Sequence, residues 1–236
     1  MNKFNRVLLK LSGEALKGDL AHGYQSEALS DIVERIVKVL NSGVEVAIVV
    51  GAGNIWRGLA GSRDGMNRVR ADQMGMLATM MNAMALKEYF AQAGVDALLQ
   101  CSVEVSGMLP KFDRNQAIKA LEGGRPVIFA GGTGNPYFTT DTASVLRALE
   151  TDCDAVLKAT KVDGVYSDDP FKNPDAVRFD RISFDEALDR QLKVMDAAAF
   201  SLCRDNQLPI IVFDFASPDS LEKVTSGDTS IATIVS

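Results

Sequence analysis

The 236-residue sequence predicts a single α/β domain built on a mostly parallel sheet with helices on both faces, and three observations carry that expectation. Apolar runs of strand length alternate with longer stretches of helical period, the order that parallel β-α-β units require. The clearest run, VEVAIVV at 44–50, is apolar except for Glu45, as strands covered on both faces nearly are. No internal repeat, low-complexity tract or Pro/Ser-rich linker divides the chain, so one domain over 1–236 follows.

The elements follow in order. RVLLKL at 6–11 reads as a strand whose buried pattern is interrupted by Lys10 and broken by Ser12-Gly13. From Ser26, taken as N-cap, Leu29, Ile32, Val33, Ile36, Val37 and Leu40 recur at 3.6-type spacing to about Asn41, and Gly43 stops the helix. The 44–50 strand runs into Gly51-Ala52-Gly53-Asn54. Asn67 to Ala93 is compatible with one long helix in which Met74, Met76, Leu77, Met80, Met81 and Met84 spread apolar surface around much of the circumference. Burial on more than one side is expected, against the core, a second subunit, or both. Further strands are predicted at 97–100, 126–130, 155–158 and 210–213, with helices at 115–122, 142–149 and 196–206.

Composition removes many functions. No apolar run approaches the roughly 20 residues of a membrane-spanning helix, and the N-terminus has no cleavage pattern, so a chain without membrane or secretion signals is expected. Cys101, Cys153 and Cys203 are few and far apart, which fits a reducing cytoplasm. A net charge of −6 gives no general attraction to nucleic acid, so an anionic ligand needs locally placed cations. A single histidine, His22, leaves Ser-His-Asp, Cys-His and multi-histidine metal chemistry almost nothing to work with, and no protein metal site is expected.

Four loops follow predicted strands, where ligands collect in open α/β sheets. At Lys10-Leu11-Ser12-Gly13 a lysine can neutralise polyphosphate while Gly13 admits backbone amides close to oxygen; a snorkelling lysine explains Lys10 equally well. The 51–57 segment GAGNIWR lacks the third glycine of a dinucleotide fingerprint, and GxxxxGK[ST] is absent. Gly53 and Arg57 either grip phosphate or form a tight turn with a surface arginine. The stretch Gly131-Gly132-Thr133-Gly134-Asn135-Pro136-Tyr137-Phe138-Thr139-Thr140-Asp141 supplies flexible backbone and small donors and acceptors suited to a base and ribose; Asp141 is either part of that site or an N-cap for the following helix. The KATKVDGVYSDDP segment clusters Lys158, Lys161 and carboxylates near Thr160, Tyr166 and Asp169. It serves either an adenine ring and a ribose hydroxyl or an exposed, solvated turn.

Taken together, KLSGEAL, GAGNIWRG, NRVRADQMGMLATMMNA, GGTGNPYFTTDTA, KATKVDGVYSDDP and LKVMDAAAF resemble, in order and over nearly the whole chain, the bacterial and archaeal UMP kinases. The resemblance implies the amino acid kinase fold, a three-layer αβα sandwich, which agrees with the missing P-loop. For ATP it implies Lys10, Leu11, Ser12, Gly13, Gly53, Arg57, Thr160, Tyr166 and Asp169. For UMP it implies the Ala52 backbone, Asp72 and the loop Thr133, Gly134, Asn135, Pro136, Tyr137, Phe138, Thr139 and Thr140. Ala52 departs from the family's GGGN; alanine is tolerated if φ is negative and strained if it is positive. The resemblance further implies Mg²⁺ carried with ATP, UTP inhibition, GTP activation and a homohexamer. Gly18 to Gly23 coincides with a region implicated in the GTP response but has no distinctive signature.

The implied chemistry needs fixed positive charge, for which Lys10 and Arg57 are the candidates; Asp141, by resemblance, orients lysines rather than acting as a base. Two other classes share this fold. Carboxylate kinases such as acetylglutamate or carbamate kinase are opposed by the TGNPYFTT loop, and a non-catalytic nucleotide-binding or molybdenum-storage protein would keep the nucleotide loops without turnover.

Overall fold

A computed structural model describes residues 4–56, 65–192 and 194–236. Eight strands form the central sheet: β1 (Arg6–Leu11), β2 (Glu45–Val50), β3 (Leu98–Cys101), β4 (Val127–Ala130), β5 (Ala155–Thr160), β8 (Arg181–Ile182), β9 (Ile210–Asp214) and β10 (Ala232–Val235). Their order is β3-β4-β2-β1-β5-β9-β10-β8, and every pair is parallel except β9 with β10. A separate antiparallel hairpin pairs β6 (Val165–Tyr166) with β7 (Arg178–Phe179). The mostly parallel sheet expected from the alternating pattern is present; the two-residue strands and the antiparallel β10 were not among the expected elements.

Helices cover both faces. Alternate residues of β1 and β2 point opposite ways, so Leu9, Leu11, Ile48 and Val50 join α1 (Ser26–Asn41) and α2 (Arg68–Gln92) in one core. Leu8, Ala47 and Val49 join α3 (Arg114–Glu122) and α4 (Thr140–Glu150) in the other. α5 (Phe184–Asp189) and α6 (Ala197–Asp205) add Phe184, Ala199 and Phe200 to that second core, and α7 (Ser220–Ser226) adds Leu221 and Val224 to the first.

Two local expectations need correction, and a third, for α2, is met on one side within the chain. Ser26 is the first helical residue of α1 rather than its cap; Gln25 occupies the cap position without a side-chain hydrogen bond. Asp141 is not an N-cap, because α4 begins earlier, and the Thr139 side chain caps it by accepting from the Asp141 amide. α2 is buried within the chain on one side, through Ala78, Met80, Ala83, Leu86 and Phe90; Met74, Leu77, Met81 and Met84 stand 38–57% exposed. Composition reported how apolar the helix is, and only packing reported that most of its methionines face outward.

Candidate active site

β1 and β5 are parallel neighbours, and their register sets Lys10 directly beside Lys158. Each lysine replaces an apolar residue in an otherwise buried strand, and the pleat sends both side chains to the face covered by α4. Two adjacent ammonium groups with restricted access to water require an anion. Asp141, in the first turn of α4, provides it: Oδ1 lies 2.9 Å from Lys10 Nζ as an ion pair outside hydrogen-bond alignment, and Oδ2 accepts from Lys158 Nζ at 2.8 Å. Lys158 also donates to the Val194 carbonyl at 2.5 Å. Burial alone would raise the Asp141 carboxyl, but the lysine charges together outweigh it and hold the group below its ordinary value. Burial pulls the Lys158 ammonium below its ordinary value, against the opposing charge of Asp141 and with that of Lys10.

The loops after β1 and β2 pack backbone against backbone beside this bridge. A methyl group on Gly13 would come within 2.7 Å of the Gly53 amide nitrogen and 2.8 Å of Asn54 Oδ1, so glycine is required there for close approach. Asn54 and Asn82 are buried and exchange amide hydrogen bonds of 3.0 and 2.7 Å; Asn82 also donates to Gly51 O at 2.7 Å, anchoring the turn to α2. Among the described residues, the non-glycine positions with positive φ are Tyr137, Asp152, Gln191, Gln207 and Asp219, and Ala52 is not one of them. Its methyl therefore adds no left-handed strain. Arg57 lies outside the described residues.

The 131–140 loop closes over α2. Asp72 Oδ2 accepts from the Tyr137 amide at 2.8 Å and from Arg68 Nε at 2.7 Å, while the Arg68 guanidinium lies 5.4 Å from the Tyr137 ring centroid. Thr133 Oγ1 and the Asn135 amide make a local turn, and Tyr137 and Phe138 project outward with Pro136 between the turn and the rings. At the loop's end Thr139 donates to Asp196, as does Thr142 at 3.0 Å, and Asp196 in turn caps α6 through the Ala199 amide at 2.9 Å. One carboxylate thus holds the starts of α4 and α6 together.

Two clefts open from the lysine bridge. One, of about 780 Å³, runs from Lys158 and Thr160 between Tyr166–Phe171 and Arg190–Leu192. Its hairpin wall is braced where Asp163 accepts from Tyr166 Oη at 2.6 Å and Arg178 at 2.9 Å. The other, of about 710 Å³, is lined by Lys10, Leu11, Ser12, Thr160 and Lys161, with Arg35 and Phe215 opposite. Both volumes are in the range of small-molecule sites.

Of the residues singled out in the sequence, Lys10, Leu11, Ser12 and Thr160 line one cleft, and Thr160, Tyr166 and Asp169 line the other. Gly13 touches Gly53, and Asp72 touches the 133–140 loop. Asp169 also pairs with exposed Lys172 at 3.0 Å. Sequence reasoning placed Lys158 in a loop that a nucleotide could use but gave it no role of its own, and it left Asp196, Asn82 and Arg68 out of the site. Lys158 carried a usable signal, since it interrupts an apolar strand as Lys10 does; the other three resemble ordinary helix and cap residues until their partners are known.

A model of the amino acid kinase family matches residues 5–214. Among solved structures the chain is similar to UMP kinase from Bacillus anthracis, with 35% identity, TM-score 0.94, and coverage of 98% of this chain and 96% of that one. It is similar to UMP kinase from Ureaplasma parvum with 36% identity, TM-score 0.92 and 98% coverage of both chains. Uridylate kinase from Archaeoglobus fulgidus shares 26% identity with TM-score 0.73, covering 98% of this chain and 99% of that one.

Proposed function

This chain belongs to the amino acid kinase family and is a phosphotransferase, and on that premise we propose that it moves the γ-phosphoryl group of ATP to UMP, yielding ADP and UDP for pyrimidine nucleotide supply. The observation that carries the reading is the Lys10–Asp141–Lys158 bridge, whose lysines line the two clefts and whose Asp141 directly follows the 133–140 loop. Adenosine fits the cleft walled by Tyr166 and Asp169. The polyphosphate runs past Thr160 toward Lys10, Leu11, Ser12 and Gly13, with the Gly53 amide and Arg57 gripping it further. UMP takes the Ala52 amide, the Asp72 carboxylate for a hydroxyl, and the stretch from Thr133 to Thr140 for the base.

An ionised UMP phosphate oxygen attacks the γ-phosphorus in line as the bond to the β-bridging oxygen breaks, and ADP departs with that electron pair. No general base is required, because the acceptor is already an anion. Lys10 and Lys158 compensate the charge that spreads over the equatorial oxygens, and Asp141 keeps both pointed inward at no cost in reorganisation. The donor set suits a magnesium ion that arrives on the polyphosphate. Asp141 already faces two ammonium groups, so the ion would be held through the polyphosphate it arrives on rather than by this carboxylate. When bound, the ion would offset the negative charge of the phosphates.

The stripe of Met74, Leu77, Met81 and Met84 supports self-association, with a homohexamer as the expected assembly. UTP, which shares uracil and ribose with the acceptor, is the expected inhibitor and GTP the expected activator. Three buried, unpaired thiols fit a cytoplasmic location, and among the described residues no helix is long and apolar enough to cross a membrane.

A coupled assay of ADP release from ATP and Mg²⁺ tests the reading with UMP, CMP, dUMP, AMP and acetylglutamate as acceptors. Turnover confined to UMP is expected. ATP binding without turnover on any acceptor would replace the reading with non-catalytic nucleotide binding or oxometal storage on the same fold.

A further inference from the structure

Arg147 is a charged residue in an apolar layer. It lies on α4 with its side chain 7% exposed, against the rings of Phe112 and Phe129. Its guanidinium sits 3.9 Å from the Phe112 ring centroid and 6.0 Å from that of Phe129, and Glu150 accepts from Nη1. Taking an arginine out of water is costly, and an aliphatic side chain would fill such a space more cheaply. What an aliphatic side chain could not do is donate, and Nη2 donates to Ser102 Oγ at 2.9 Å.

The direction of that bond decides the next one. Arginine has donors only, so Ser102 Oγ accepts, and its own hydrogen is committed elsewhere. It goes to the Gly132 carbonyl at 2.5 Å. Gly132 belongs to a stretch in which Gly131, Gly132 and Gly134 have φ of +77°, +60° and +80° and no side chains; the Gly131 amide donates to Thr79 Oγ1 at 3.0 Å, and the Ser102 hydroxyl holds the next carbonyl. Gly134 packs on Ser102 closely enough that a methyl there would approach Ser102 Cβ at 3.3 Å. α4, which carries Arg147, also carries Asp141 and with it both lysines.

We propose that Arg147, acting through Ser102, is a positioning residue that seats the 131–139 loop at a fixed height relative to the Lys10–Asp141–Lys158 bridge, and so sets acceptor binding. The proposal rests on the acceptor reading of that loop. α4 is then the common frame: its first turn orients the transferring machinery and its last sets the floor under the acceptor.

The test compares wild type with Ser102→Ala, which removes one hydroxyl, and with Arg147→Lys, which keeps the charge but loses the planar stack and fork. Circular dichroism confirms folding, and Ser102→Ala keeps the test valid if Arg147→Lys fails to fold. In steady-state kinetics Ser102→Ala is expected to raise KM for UMP about three- to tenfold, the effect of one hydrogen bond, with KM for ATP unchanged. Equal rises in both KM values, or none, overturn the proposal while leaving UMP turnover by the wild type intact. Hydrogen exchange of the ligand-free protein reads the same link without activity. Faster exchange of amides 131–139, with β5 unaltered, is expected, and unchanged exchange of that loop refutes the tether even if UMP proves not to be the acceptor.

Discussion

Replacing Asp141 with asparagine removes one charge and leaves two lysines facing each other across a register pair. The side chains are 14–17% exposed, so screening by water is limited. At an effective dielectric near 20, each contact at 2.8–2.9 Å is worth about 6 kcal/mol before desolvation is subtracted. Breaking a buried pair by removing one partner costs about 3–5 kcal/mol in practice. The asparagine carbonyl can still accept from one ammonium, and Lys158, already pulled below its ordinary value, can shed its proton; both place the expected loss near the lower limit, about 3 kcal/mol at pH 7.

The pH dependence has a definite sign. The folded Asp141 carboxyl lies below its ordinary 3.8, so the stability it contributes is complete above that value and disappears as pH falls through the folded one. The difference between wild type and variant therefore shrinks in acid. It shrinks again in alkali: burial already lowers Lys158 in the wild type, losing the Asp141 charge lowers it further in the variant, and the variant therefore gains more stability than the wild type as pH rises toward 10.5. Urea denaturation across pH measures both limbs. A difference below about 1 kcal/mol at neutral pH, or one independent of pH, would refute the account of the bridge.

Other substitutions separate the parts of the site. Lys10→Ala is expected to lower kcat by about 10²–10³ with a small change in KM for UMP, as read by initial rates; an unchanged kcat would remove it from transition-state stabilisation. Asp72→Asn replaces an acceptor of two hydrogen bonds and should weaken UMP binding in titration calorimetry while ATP binding persists. Gly131→Ala forces a methyl to 2.7 Å from Cys101 Sγ at φ +77°, and thermal melting should show a loss of about 2 kcal/mol or more.

Much of the fold was legible because its signals are local. The 3.6-residue spacing from Leu29 to Leu40 and the unbroken run to Val50 each declare an element within a few residues. The strands β6, β7 and β8, two residues each, are too short to carry a period, and they exist because tertiary contacts such as the Val165 amide to Thr233 Oγ1 hold them. The same division runs through the site. Gly13 announced close backbone approach, and the 131–134 glycines a flexible backbone, by residue type alone. Asp141 was open to two readings, and the cap reading failed when Thr139 proved to be the cap.

By itself, then, the sequence determined the order of six strands and five helices, the loops rich in glycine and lysine, and through six motifs the family resemblance. Tertiary structure decided which charges meet. Lys10 becomes a neighbour of Lys158 only through strand register, Asp141 stands between them only because α4 packs on that face, and Arg147 reaches Ser102 only across a helix-to-loop contact. A charge advertises itself in one residue, but its partner is chosen by packing, since Coulomb attraction and hydrogen bonding act over ångströms in space and are blind to separation along the chain.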